Sequence, residues 1–112
     1  MDIHRINIVQ GEYHVSGDQS LAITTLLGSC VAACLHDPLA RVGGMNHFLL
    51  PFSSIEESAS KERLFGVYLM ELLINKMFSY GAEKSRLEVK LFGGAHVLNS
   101  KSDPGKKNVE FI

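Results

Sequence analysis

At 112 residues the chain has the size of one compact domain, which excludes a two-domain protein and provides enough sequence for an ordinary hydrophobic core. Eleven Lys and Arg against 12 Asp and Glu leave a formal charge of -1, with no basic stripe of the kind that holds nucleic acid. The apolar content is an ordinary 46%, and no run approaches the roughly 18 consecutive apolar residues a membrane helix needs. The start, Met1-Asp2-Ile3-His4-Arg5, lacks the cationic stretch and apolar run of a secretory signal. The expected compartment is therefore the cytoplasm, where Cys30 and Cys34 are free thiols rather than a disulfide.

Ile6 to Val9 and Leu21 to Leu27 mix β-branched and apolar residues and are separated by Gly11 and Gly17-Asp18; both runs predict short strands. Val31 to Leu35 and Val42 to Leu50 predict a β-hairpin, with the turn at Asp37 to Ala40, where Asp37-Pro38 favours reversal. Residues 52–60 are mostly small or acidic and predict a loop. From Lys61 to Tyr80 the apolar positions Leu64, Val67, Met70, Ile74, Met77 and Phe78 recur at helical spacing and Gly81 supplies a stop, predicting a long helix with that stripe toward the core. Leu87 to Leu91 alternates as a half-buried strand and runs into Phe92-Gly93-Gly94-Ala95, where glycines allow close backbone approach. Asp103-Pro104-Gly105 reads as a turn. The last residues, Asn108 to Ile112, are unusually apolar for a terminus and look like an interrupted segment. No internal repeat is present.

The hairpin brings the chemistry together. With the turn at Asp37 to Ala40, Leu35 opposes Val42, Cys34 opposes Gly43 and Cys30 opposes His47, within reach of one another across an antiparallel pair. A thiol beside an imidazole is useful because the thiolate is the nucleophile and an imidazolium favours it. Gly28-Ser29, just ahead of Cys30, would let the backbone bend and turn its N–H groups toward a developing oxyanion. The pattern is not a complete nucleophile elbow, since Ala32 stands where the second glycine would be. Two other readings stay open on the residues alone: Cys30 and His47 as ordinary core residues, or Cys30, Cys34, His36 and His47 as zinc ligands. Against zinc, strand residues four apart grip one ion poorly. His4, His14 and His96 are isolated, and no phosphate-loop or dinucleotide fingerprint occurs.

The run Thr24-Thr25-Leu26-Leu27-Gly28-Ser29-Cys30-Val31-Ala32-Ala33-Cys34-Leu35 resembles the CheD family of chemoreceptor glutamine deamidases, as does the Asp37-Pro38 turn. The resemblance continues through Gly43-Gly44-Met45-Asn46-His47-Phe48-Leu49-Leu50-Pro51, with its histidine 17 residues after Cys30, and through Lys90-Leu91-Phe92-Gly93-Gly94-Ala95. It covers nearly the whole chain and implies a layered α/β sandwich of mostly antiparallel strands, with one long helix packed on the sheet, as a single domain over residues 1–112. It implies a protein-glutamine amidohydrolase that turns glutamines of methyl-accepting chemotaxis receptors into glutamates, without metal or organic cofactor. By position, Cys30 matches the nucleophile, His47 the residue that takes its proton, and Thr24 the third member that orients the imidazole. A CheC-type phosphatase is the implied partner. Family members run on past the segment resembling Gly105-Lys106-Lys107-Asn108-Val109-Glu110, so the expectation is that a further helix and closing strands are missing here.

Overall fold

The structure, a computed structural model, describes residues 2–49, 57–93 and 107–111. Most of the expected 52–60 loop, Gly94-Ala95, His96 and the Asp103-Pro104-Gly105 turn lie outside the described residues. The elements in chain order are β1 (His4–Asn7), β2 (Tyr13–Ser16), β3 (Leu21–Leu27), β4 (Val31–Asp37), β5 (Val42–Phe48), α1 (Glu57–Ser79), β6 (Glu88–Gly93) and β7 (Lys107–Phe111). They form a sheet ordered β1-β3-β7 and a second ordered β2-β5-β4-β6. Only β1 and β3 run parallel; the other pairs are antiparallel. The expected mixed α/β sandwich with one long packed helix is thus the observed class.

Two buried clusters define three layers. Ile8, Ile23 and Leu27 meet Ala32, Cys34 and Met45 between the sheets. Val15, Ala33, Leu35 and Val42 meet Leu73, Met77 and Ala82 between the second sheet and α1. The second sheet is therefore covered on both faces where these clusters lie, which is why β4 reads as an almost continuous apolar run with every residue but His36 buried. Gly44 makes the close approach of helix to sheet possible: a Cβ there would stand 2.8 Å from both Leu73 Cδ1 and Val15 Cγ2.

The helix ends as its sequence suggests. Gly81, at φ 98°, donates its N–H to Phe78 O while Ala82 N–H reaches back to Met77 O, a Schellman closure whose Met77 and Ala82 also pack together. Its core-facing side differs from the expected stripe. Leu69, Leu73 and Met77 are buried, whereas Leu64, Val67 and Phe78 are 70%, 56% and 40% exposed. Gly66, packed under Phe48, sets the rotation by letting that side of the helix approach β5 most closely.

The hairpin register also differs. Asp37 pairs with Val42, Cys34 with Met45 and Ala32 with His47, a shift of two residues from the expected pairing. The cause is a turn of the same length displaced by one residue, over Pro38 to Arg41 rather than Asp37 to Ala40. Arg41 adopts a left-handed φ of 59° and donates its N–H to Asp37 O at 2.8 Å, so Asp37 remains in the strand. Its carboxylate is buried and accepts N–H groups from Leu39, Ala40 and Glu83 together with Arg86 Nε. The Arg86 guanidinium and these donors hold the Asp37 carboxyl well below the usual carboxylate range. This one side chain joins the hairpin loop to the exit of α1.

Candidate active site

A two-residue shift preserves the alternation of a strand. Cys30, immediately before β4, still shares its face with Ala32 and Cys34, and it packs against the cluster between the sheets. His47 stands diagonal to it rather than opposite, and it is 6% exposed. The imidazole is directed toward the first sheet, where Thr25 meets it: Thr25 Oγ1 lies 2.7 Å from His47 Nδ1, in a buried contact. The structure thus places Thr25 in the position expected for Thr24. The reason is again alternation. Ile23, Thr25 and Leu27 point into the inter-sheet layer, whereas Thr24 lies on the other face, its hydroxyl 3.4 Å from Ile6 O and 3.5 Å from Asn7 Oδ1.

The Thr25 contact determines the tautomer of the ring. A hydroxyl has one proton to give, and Thr25 donates it to Ile8 O at 2.7 Å. At Nδ1 the imidazole must therefore be the donor, which leaves Nε2 with the free lone pair. Burial pushes the His47 pKa down from its ordinary value, so the ring is held in this neutral, basic form. Asn46, buried beside it on the helix side, accepts the Ala33 N–H at 3.0 Å and donates to Met70 Sδ. These contacts brace β5 where it carries His47.

Cys30 is half-buried and its thiol donates to Gln10 Oε1 at 3.5 Å. Gln10 stands in the loop between β1 and β2, and nothing in its sequence surroundings distinguishes it. Gly28 and Ser29 form the bend ahead of Cys30. Gly28 has no left-handed φ and open space where a Cβ would stand, so the bend does not depend on glycine there, contrary to expectation. The glycine that the site requires is Gly93. At φ 96° it ends β6 against the Cys30 backbone, and an added Cβ would collide with Cys30 O.

Cys34 is a second free thiol of different character: fully buried, its pKa is pushed up to about 11 by desolvation, which leaves it protonated and inert. His36 faces Glu88 at 3.5 Å. Among the described residues no three His, Cys, Asp or Glu side chains are grouped to hold a metal ion, so Cys30, Cys34, His36 and His47 do not form the zinc cluster considered above. Among them, too, no helix is long and apolar enough to cross a membrane.

Residues 49–112 match the family model described as CheD, CheD chemotactic sensory transduction. A protein of Rhizobium rhizogenes is 53% identical over 108 residues, covering 96% of this chain and 59% of its own length. One of Agrobacterium fabrum is 52% identical over 107 residues, covering 96% and 59%. Each bears the name "Probable chemoreceptor glutamine deamidase CheD". The chain therefore spans less than two thirds of the length of the relatives it matches. With the family model matched over more than half of its residues, and half of the aligned positions identical to such relatives, the chain belongs to the CheD family.

Proposed function

We propose that this chain carries the catalytic centre of a chemoreceptor glutamine deamidase, with Cys30 as nucleophile, His47 as general base and Thr25 as the residue that orients the ring. The observation that carries this reading is the buried 2.7 Å contact between Thr25 and His47 Nδ1, because it leaves Nε2 as the basic nitrogen on a face shared with Cys30. The names of the relatives supply the substrate: glutamine side chains of chemoreceptors, recognised by the whole protein.

The chemistry proceeds in two halves. His47 Nε2 takes the thiol proton as Cys30 Sγ bonds to the side-chain carbonyl carbon, and the C=O pair moves onto oxygen. That oxyanion is held by donors around the Gly28–Ser29 bend. The pair then returns, the C–N bond breaks, and the proton on His47 leaves with ammonia. Water attacks the resulting thioester with His47 again as base, giving glutamate and the free thiol. Because burial depresses His47, the resting imidazole is neutral and free to take the thiol proton as the bond is made. No step calls on a metal or organic cofactor. The setting is the cytoplasm, and the partner carried by the family resemblance is a CheC-type phosphatase.

The test is peptide mass mapping of a receptor cytoplasmic fragment incubated with the full-length protein. Conversion of receptor glutamines to glutamates, absent with Cys30→Ala, is expected. Receptor left unchanged by the unmutated protein, or changed equally by both, would overturn the reading. Binding of the phosphatase by a protein without turnover would instead favour a binding module.

A further inference from the structure

The segment Ile8–Glu12 touches every member of the site. Ile8 O accepts the Thr25 hydroxyl, Gly11 N–H donates to His47 O at 2.8 Å, His47 N–H donates to Glu12 O at 3.1 Å, and Gln10 Oε1 accepts the Cys30 thiol. The segment is also braced internally. Glu12 N–H closes a turn on Val9 O, Gly11 occupies φ 90° within it, and the Glu12 carboxylate takes Val9 N–H at 2.8 Å. Gln10 therefore projects from a corner whose position is tied to the base and its orienting residue. It is exposed and, with Gly11, Phe48, Leu49 and Phe65, lines an open cleft.

A carboxamide is an acceptor at one end and a donor at the other. Accepting from the thiol suits the resting state alone, because once the proton has passed to His47 an acceptor beside sulfur has nothing to bind. The oxygen of the attacked amide is then bonded to the carbon that sulfur holds, so it develops its charge next to Sγ. A group already touching Sγ needs only to turn its N–H end to reach that oxygen.

Resting on the deamidase reading, we propose that Gln10 is a further catalytic residue, whose side-chain N–H stabilises the oxyanion of the tetrahedral adduct formed on Cys30. As the Sγ–C bond forms and the C=O pair moves to oxygen, Gln10 Nε2 donates to that oxygen; the bond is released when the pair returns and ammonia leaves. The experiment is steady-state ammonia release by the full-length protein acting on a receptor cytoplasmic fragment, for Gln10→Ala and Gln10→Glu, with thermal midpoints measured in parallel. Loss of one oxyanion donor lowers kcat by about 10² to 10³-fold with KM little changed. Gln10→Glu, which keeps the acceptor and the length but lacks the donor, is expected to lose at least as much, with both midpoints unaltered. A Gln10→Ala kcat within about threefold of the unmutated value, far from an oxyanion-donor loss, overturns the proposal. So does an unimpaired Gln10→Glu, which would mean that the acceptor alone matters. An unmutated protein that releases no ammonia overturns the deamidase reading itself and this proposal with it, whereas full turnover with indifferent Gln10 variants overturns only the role of Gln10.

Discussion

Thr24 and Thr25 differ by a single position and by everything that matters to the site, because a strand sends neighbours to opposite faces. Thr25→Val keeps the shape but removes both the acceptor for His47 Nδ1 and the donor to Ile8 O. A loss of about 10²-fold in kcat is expected, of the order carried by a positioned general base, with destabilisation of about 1–3 kcal/mol from unpaired buried groups. Thr24→Val, on the outer face, is expected to leave kcat unchanged; steady-state kinetics and denaturant titration of the two variants decide the assignment. The apolar pattern of Leu21 to Leu27 could not distinguish these threonines, since both faces of β3 carry buried residues, Ala22 on one and Ile23 and Leu27 on the other. That Cys30 and His47 share a face was legible in the sequence, because a register error of two residues leaves the alternation intact. Gln10 was not, because its contact with Cys30 depends on how the first loop folds over the second sheet.

Among the elements, β3 lies where its composition predicts and α1 ends at Gly81, but the rotation of α1 differs from the one its apolar spacing predicts. An amphipathic helix is phased by what it packs on. Here Gly44 and Gly66 draw the Gly66-Leu69-Leu73-Met77 side toward β2 and β5, leaving Leu64 and Val67 outside. Leu73→Ala is accordingly expected to cost about 2–5 kcal/mol, whereas Leu64→Ala changes stability by no more than about 0.5 kcal/mol; equal effects in urea titrations would contradict the phase. Gly44→Ala, forced against Leu73 and Val15, is expected to cost about 1–3 kcal/mol by overpacking. The strand β2 is not legible in the sequence because four residues between glycine breakers are too few to show a period. The apolar tail is itself a strand: β7 pairs along β3 from Ile23 to Leu27.

For the whole molecule, two groups buried among the described residues, His47 and Asp37, couple stability to acid. The folded-state pKa of His47 lies below its ordinary value of 6.5, so the unfolded chain binds its proton first and this contribution to stability is present above pH 6.5 and fades as pH falls below it. Asp37 is depressed from 3.8, and its contribution is lost only below that value. Thermal midpoints are expected to decline in two stages on acidification, and His47→Gln should abolish the first while leaving the second; an unchanged first stage would contradict the buried neutral imidazole. The layered architecture was legible because alternating and helical periods separate cleanly along the chain, while the union of loop, hairpin and helix exit at Asp37 arises from contacts distant in sequence. The central claim, that Cys30 and His47 act as one unit, is tested most directly by ammonia release from receptor by the full-length protein bearing Cys30→Ala, His47→Ala or both. The account predicts that each single substitution reduces the rate to background and that the double variant is no slower than either. An unmutated rate in either single variant would contradict it.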